Sequence, residues 1–430
     1  MAHPIDVLVV GSGGREHALA WALRQSPSVG RLYAAPGNPG IAAVAGLVDI
    51  AASDVDALAG WAADNSIGLV VVGPEAPLAA GLADQLEALG IPVFGPTKAA
   101  AELEWSKVFA KQFMLDHGVP TAKYAAFDEL QPALSYAAAA TYPQVVKADG
   151  LAAGKGVAVC NSLIEAEAAI RAALQHGAFG LAGARVVIED FLPGDELSVI
   201  ALTDGERIAV LPAARDHKRL LDGDRGPNTG GMGAYVPVQE AEGEPLRRVR
   251  DEILEPTIAG LRQMGRPYRG AIYAGIMMTA DGPKTLEFNC RFGDPETQAI
   301  LPLLDGDLAA LLLSCATGQL DPATLVVKPG AGVSLTLAAE GYPERPRSGD
   351  AIAGVAEAEA TGALVFHAGT ALTDEGGLES AGGRVLSVVG TGDTLEAAVE
   401  QAYAAADKIS FDGMHVRGDI GRAPASQPGE

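Results

Sequence analysis

The stretch Val145-Val146-Lys147-Ala148-Asp149-Gly150-Leu151-Ala152-Ala153-Gly154-Lys155-Gly156-Val157 decides how the chain is read. An apolar strand ends in Lys147, a turn of glycines and alanines follows, and a second strand is expected over 156–160. Small side chains let backbone N–H groups approach a ligand closely. Lys147 and Lys155 flank the turn as cations, which is the chemistry of a polyphosphate cradle. It is not a P-loop, which places four residues between its glycines and a hydroxyl residue after its lysine. Here three residues separate Gly150 from Gly154, and Gly156 follows Lys155. A magnesium ligand must therefore come from elsewhere in the chain.

The supply lies at Glu287-Phe288-Asn289-Cys290-Arg291. Two strands are predicted around an Asp281-Gly282 turn. Alternation along the second puts Glu287, Asn289 and Arg291 on one face. Polar residues on an otherwise apolar strand are costly to bury unless they are used. Glu and Asn oxygens suit a hard cation such as magnesium.

The N-terminal part opens like a doubly wound parallel sheet. A strand over 5–10 enters Gly11-Ser12-Gly13-Gly14-Arg15-Glu16-His17, and the next helix carries Ala18, Leu19, Ala22 and Leu23 on one face. Glu16 stands where a dinucleotide fingerprint needs glycine. A helix N-terminus beside Arg15 still suits a single phosphate. Later strands end in Pro36-Gly37-Asn38, Gly73-Pro74-Glu75 and Gly95-Pro96-Thr97. Open parallel sheets bind ligands at these carboxyl ends, so Asn38 and Glu75 are expected in the crevice of Arg15. Ser53-Asp54 is read as a helix cap, and one long helix is predicted from Thr97 through Lys107. Ser162 to Glu165 is a capping box, and with the strand over 185–188 it completes a small lid. Asp216-His217-Lys218-Arg219 precedes Gly226-Pro227-Asn228-Thr229-Gly230-Gly231-Met232-Gly233, whose glycine density marks a substrate loop. Beyond Pro329 an α+β unit is predicted, and the tail from Ala423 is expected to be disordered.

Net charge is −23, with 54 acidic against 31 basic residues. Such a surface repels nucleic acid and anionic membrane, and neither is expected as a partner. Cys160, Cys290 and Cys315 are scattered without metal-ligand spacing, which fits a reducing cytoplasm. No signal peptide and no run of about 18 apolar residues is present, so no membrane span is expected.

Lys107, the 147–156 segment, residues 189–192, Glu196 and the strand 287–291 together resemble an ATP-grasp ligase. Residues 13–18, 36–38, 73–78, 226–235 and 287–297 narrow the resemblance to the glycinamide ribonucleotide synthetase (phosphoribosylamine–glycine ligase) family, in the family's order from Val7 to Ile420. The resemblance implies an α/β and α+β fold. Its parts are a doubly wound substrate domain over 1–103, an ATP-grasp core over 104–328 with its lid at 122–192, and an α+β domain over 329–422. It implies an ATP-dependent joining of glycine to 5-phosphoribosylamine through a glycyl phosphate, with Mg2+ or Mn2+. By resemblance, Lys107 and Lys147 contact the ATP phosphates, and Gly150, Gly154, Lys155 and Gly156 close over them. Glu189, Phe191 and Leu192 form the hinge at the adenine edge, largely through backbone groups. Glu196 meets the ribose, and Glu287 and Asn289 hold the metal. Gly14, Arg15, Glu16, Asn38, Glu75, Asp216, Asn228 and Arg291 are the expected substrate contacts. Arg291 is also read as catalytic, holding glycine's carboxylate and then the acyl phosphate, with a structural pair to Asp294 or Glu296 as its alternative. A monomer with small-molecule partners is expected. Another ATP-grasp ligase or carboxylase, and a non-catalytic nucleotide-binding module, are the competing readings.

Overall fold

The computed structural model describes residues 4–150 and 156–422. Gly154 and Lys155 of the turn, and the tail 423–430, lie outside the described residues. Five parallel strands form the first sheet, in the order β3-β2-β1-β4-β5. They are β1 (Ile5–Gly11), β2 (Val29–Pro36), β3 (Gly46–Leu47), β4 (Leu69–Val72) and β5 (Val93–Phe94). Parallel strands are covered on both faces, which is why β1 and β4 read as continuous apolar runs. Leu8, Val10, Val70 and Val72 enter one core, while Val7, Val9, Leu69 and Val71 enter another. Asp54 caps α2 (Val55–Asp64), accepting the Ala57 N–H at 3.1 Å. The loops after β1 and β4 lead into α1 (Gly14–Arg24) and α3 (Glu75–Ala80), and α4 (Leu82–Ala88) follows.

The helix expected to run unbroken from Thr97 is two helices, α5 (Lys98–Trp105) and α6 (Lys107–Asp116). Ser106 between them is extended, with φ −124° and ψ 106°. Its hydroxyl accepts the Phe109 N–H at 3.2 Å, so the break is an N-cap, which serine favours over a helix interior.

The lid sheet runs β6-β9-β7-β8, all antiparallel. Its strands are β6 (Tyr124–Phe127), β7 (Gln144–Ala148), β8 (Val157–Cys160) and β9 (Val186–Asp190). Val146, Val186 and Ile188 pack on α7 (Leu130–Ala139) and α8 (Leu163–Leu174) through Ala133, Leu134, Ala166 and Ile170. Val145 pairs with Glu189 and Lys147 with Val187, so Lys147 and Glu189 share the opposite face. The capping box of α8 closes one residue early. Ser162 accepts the Glu165 N–H at 3.4 Å, but the Glu165 carboxylate takes the Asn161 N–H at 2.8 Å.

A central antiparallel sheet has the order β11-β10-β16-β17, from β10 (Asp195–Thr203), β11 (Ile208–Val210), β16 (Gly270–Thr279) and β17 (Gly282–Asn289). Gly275 pairs with Glu287 while Ile276 pairs with Thr285, leaving Leu286 bulged. β17 ends at Asn289, so Arg291 does not lie on the strand where alternation placed it.

The segment beyond Pro329 does not make its sheet alone. A five-stranded sheet joins β12 (Arg215–Asp216) and β15 (Gly233–Val236) to Ala331–Ala338, Arg384–Gly392 and Leu364–His367, in that order. Every residue of Ala331–Ala338 is buried, and both its edges need hydrogen-bond partners. Between β12 and β15, β13 (Arg219–Leu221) and β14 (Arg225–Asn228) form a separate hairpin. Among the described residues no helix is long and apolar enough to cross a membrane.

Helix α1 and the C-terminal sheet meet at two histidines. The His367 N–H donates to His17 Nδ1 at 2.8 Å, and the rings pack edge-on with centroids 5.7 Å apart. An accepting Nδ1 requires His17 to be neutral, with its proton on the other nitrogen. Burial, with His367 adding, lowers His17 to about 3, and burial lowers His367 to about 4. Both values lie below the unfolded 6.5, so above that pH neither state binds a proton and stability is unaffected. As pH falls below 6.5, the unfolded chain gains protons that the folded chain refuses, and stability drops. We expect a loss of about 2 kcal/mol from each ring at pH 5, read by denaturant unfolding at pH 7, 6 and 5. His17→Asn, whose oxygen can replace Nδ1, should remove about half of that acid slope.

Candidate active site

Two lysines converge on the glycine turn from different elements. Lys107, at the start of α6, donates through Nζ to the Gly150 carbonyl at 3.1 Å. Lys147, at the end of β7, donates to the Leu286 carbonyl at 3.0 Å and is ion-paired with Glu189. Glu189 also pairs with Lys111, one helical turn after Lys107. Burial alone would raise the Glu189 carboxyl, but Lys147 and Lys111 hold it below the usual carboxylate range. Burial lowers Lys107 from its ordinary value, with Glu287 opposing. Gly150 packs against Ala182, where an added Cβ would stand 2.7 Å from the Ala182 Cβ. The Gly156 carbonyl accepts the Ala148 N–H at 2.8 Å, and so closes the hairpin base. After β9, Phe191 is 40% exposed while Leu192 is buried, leaving one face of that segment open to a flat ligand.

A second cluster lies on β10, β12 and β17. Lys218 is ion-paired with Glu196, and its Nζ lies 3.9 Å from Glu287 Oε1. Burial would raise Glu287, but Lys218, then Lys147, Lys107 and Arg291, hold it below its ordinary value. An ionised carboxylate facing lysines suits a cation shared with phosphates. Asn289 Oδ1 accepts from Arg291 Nη2 at 3.2 Å. Among the described residues no group of three or more His, Cys, Asp or Glu could hold a metal. Glu287 and Asn289 offer oxygens of the kind magnesium takes, and a metal there would draw its remaining ligands from substrate and water. Asp216 is pushed well above the carboxylate range by burial, with Glu296 adding, and its Oδ1 is buried without a hydrogen-bond partner among the described residues. Ser198 donates to Glu296 at 2.7 Å. Asn228 stands apart on the hairpin, in register with Arg219.

The third group lies where the first sheet meets β17. Arg15 Nε donates to Glu16 at 2.6 Å and Nη1 to the Phe292 carbonyl at 3.0 Å. The other Glu16 oxygen accepts the Gly13 N–H at 2.6 Å. The neighbouring glycines make room for Glu16, since a Cβ at Gly73 would stand 2.0 Å from its Oε1. Glu16 is thus a brace beneath Arg15. Gly14 approaches Gln298 and Ser387, where a Cβ would come within 2.9 and 3.2 Å. Asn38, expected to face the ligand, spends its side chain on the fold. Its Nδ2 donates to the Ser12 and His367 carbonyls, each at 2.8 Å, and its Oδ1 accepts the Ile41 N–H at 2.9 Å. Arg291 lies 3.6 Å from Glu75 and 3.3 Å from Glu104, so its ion-pair partners are these and not Asp294 or Glu296. Asp294 instead pairs with Arg384 at 3.0 Å. Arg291 Nε is buried with no hydrogen-bond acceptor among the described residues.

Lys111, Glu104 and Lys218 pair with charged groups of this region, and the sequence reading did not select them. Each had a signal. Lys111 follows Lys107 by four, hence the same helix face. Lys218 follows Asp216 by two, a spacing that strands place on one side. Glu104 precedes Ser106, and its carboxylate takes the Cys290 N–H at 2.6 Å.

Two lysines beside Gly150, an acidic strand end and Arg15 with Arg291 stand together in a chain of the ATP-grasp ligase class. The chain belongs to the phosphoribosylglycinamide synthetase family. That family's N domain matches residues 5–104, its ATP-grasp (A) domain 105–297 and its C domain 332–423. The chain is 51% identical over 418 residues to a phosphoribosylamine–glycine ligase of Ralstonia nicotianae, covering 97% of this chain and 99% of that one. It is 48% identical over 430 residues to the Pseudomonas aeruginosa ligase, covering 99% and 100%. The crystal structure of phosphoribosylamine–glycine ligase from Thermotoga maritima superposes with a TM-score of 0.85 at 35% identity, covering 97% and 100%. The biotin carboxylase domain of Hydrogenobacter thermophilus 2-oxoglutarate carboxylase, at 15% identity and a TM-score of 0.73, covering 97% and 92%, shares the fold.

Arg291→Lys keeps the charge but loses the planar guanidinium and its free Nε–H. It should reduce kcat by a factor equivalent to about 2–4 kcal/mol, with a smaller rise in KM for glycine. Melting temperature and kcat measured on one preparation separate this from a purely structural pairing with Glu75 and Glu104, which would lower melting alone.

Proposed function

We propose that this protein ligates glycine to 5-phosphoribosylamine, forming glycinamide ribonucleotide with ATP converted to ADP and phosphate. The observation that carries the reading is the single charged region in which Glu287 faces Lys107, Lys147, Lys218 and Arg291. Lys107 and Lys147 would bind the β- and γ-phosphates as cations. Glu287 and Asn289 would hold Mg2+ or Mn2+, which when bound neutralises charge on the transferring phosphoryl group. Phe191 and Leu192 offer an apolar surface for adenine, and Glu196, steadied by Lys218, a hydroxyl acceptor for ribose. Arg15, its Nη2 unpartnered among the described residues, lies at the α1 N-terminus, where backbone N–H groups favour the amine substrate's phosphate. Arg291 offers a cation suited to glycine's carboxylate, and the orphaned Asp216 oxygen an acceptor for its ammonium. Glycine's carboxylate is a poor electrophile, so phosphorylation must precede attack by the amine. Closure of the lid would exclude water from that acyl phosphate.

ADP release should require glycine and the amine together, and bicarbonate should not replace glycine. ADP formed at the same rate without glycine would sink the reading. Glu287→Ala should abolish turnover at limiting magnesium while leaving the thermal transition cooperative, because the carboxylate contributes to the metal rather than to a core. Turnover and calorimetry on the same sample check both halves.

A further inference from the structure

Three ionisable side chains are buried between the lid sheet and the body. Lys111 is 2% exposed, Glu189 2% and Lys147 5%. Each lysine pairs with a different Glu189 oxygen, Lys111 with Oε2 and Lys147 with Oε1. Lys111 is the more firmly seated. Its Nζ also donates to Thr121 Oγ1 at 2.7 Å, and that hydroxyl donates to the Thr285 carbonyl at 2.7 Å. Lys147 reaches the next carbonyl along β17, that of Leu286 at the bulge. The two ammonium groups thus flank one carboxylate and lean on adjacent peptides.

We propose that Lys111 is the standing counter-ion of Glu189, which leaves Lys147 free to leave that carboxylate for an ATP phosphate. This rests on the reading of Lys147 as a phosphate ligand. The argument is one of charge balance. A buried carboxylate with a single cation cannot release it without leaving an uncompensated charge, which is strongly unfavourable. With Lys111 in place, the movement of Lys147 costs Glu189 one of two partners. The triad carries a net positive charge without nucleotide, and that excess is what Lys147 offers. Lys111 is a positioning residue in this scheme, since it acts through Glu189. The groups facing it are Glu189 on β9, Lys147 on β7, Thr121 ahead of β6, and at longer range Glu287 on β17. Burial lowers Lys111 to about 8, so its charge is lost just above neutral pH and Lys147 then becomes the only cation on Glu189.

The test is ATP affinity, as KM and by direct titration, in four variants. Lys111→Met should weaken ATP about tenfold or more with kcat little changed, and Lys111→Arg should stay near the parent. Lys111→Met/Glu189→Gln should recover most of the loss, because no carboxylate then detains Lys147. A structural role for Lys111 predicts the reverse, a double variant weaker than the single, and that result overturns the proposal. Lys147→Met separates the two readings. If it leaves ATP affinity intact, the assignment of Lys147 falls. If it weakens ATP while Lys111→Met does not, the charge-balance proposal alone falls. Should Lys111→Met fail to fold, the pH profile decides. KM for ATP should rise above about pH 8 in the parent and stay flat in Lys111→Arg, whose guanidinium keeps its proton. A rise unchanged by arginine would overturn the proposal.

Discussion

The Asp149 carboxylate is the joint on which the nucleotide side of the site depends. It accepts the Val108 N–H at 2.8 Å and the Ser106 hydroxyl at 3.2 Å, and it pairs with Arg185 at 2.5 Å. Its own carbonyl accepts the Lys107 N–H at 3.1 Å, and its N–H donates to the Arg185 carbonyl at 3.1 Å. One residue thereby ties the start of α6, the end of β7 and the approach to β9. An anion at a helix N-terminus is favourable, and here it also satisfies N–H groups that the helix leaves unpaired. The break at Ser106 follows from the same contact. A continuous helix would have no free N–H at Val108 and would carry Lys107 away from the Gly150 carbonyl.

Around that joint the protein sets buried and half-buried charge in alternating sign. Lys111, Glu189 and Lys147 form one set, Lys218 with Glu196 and Glu287 another, and Arg291 with Glu75 and Glu104 a third. Buried ion pairs contribute little to stability once desolvation is counted. Their use here is electrostatic. Fixed charges in a water-poor cleft need not reorganise when charge shifts in the substrate, which is where such arrangements contribute most. An acidic molecule of net charge −23 can therefore still hold individual cations, Lys107 and Lys147 among them, in place for a polyphosphate.

What could be read from the sequence was what local spacing encodes. β1, β4, β7, β9 and the β16–β17 hairpin were legible because apolar runs and their turn residues agree. Glu287 stood out because a charge on an otherwise apolar strand is costly unless used. The remainder depended on partners distant along the chain. Ser106 looks like a helix residue until Asp149, 43 residues away, meets it. Asn38 looks like a ligand contact until the His367 carbonyl, 329 residues away, takes its amide. Arg291 is separated from Glu104 and Glu75 by long intervals, so its nearest acidic residues in sequence were the wrong partners. Lys111 shows no feature beyond its helical spacing, since its importance lies in Glu189.

The sheet shared across the chain sets the order in which the molecule can be built. During synthesis β12 and β15 emerge about a hundred residues before Ala331–Ala338, the strand that β15 pairs with, and Arg384–Gly392 comes later still. Until then β15 has an open edge, and the loop carrying Asp216 and Lys218 hangs from an incomplete sheet. The nucleotide-facing lid, whose strands all lie between residues 124 and 190, needs nothing from the C-terminal end. The nascent chain can thus complete its lid sheet well before the rest of its active site. Non-local pairing of this kind is slow and leaves strand edges exposed while it waits. The last hundred residues, poor in candidate catalytic groups, are in this sense what completes the active site.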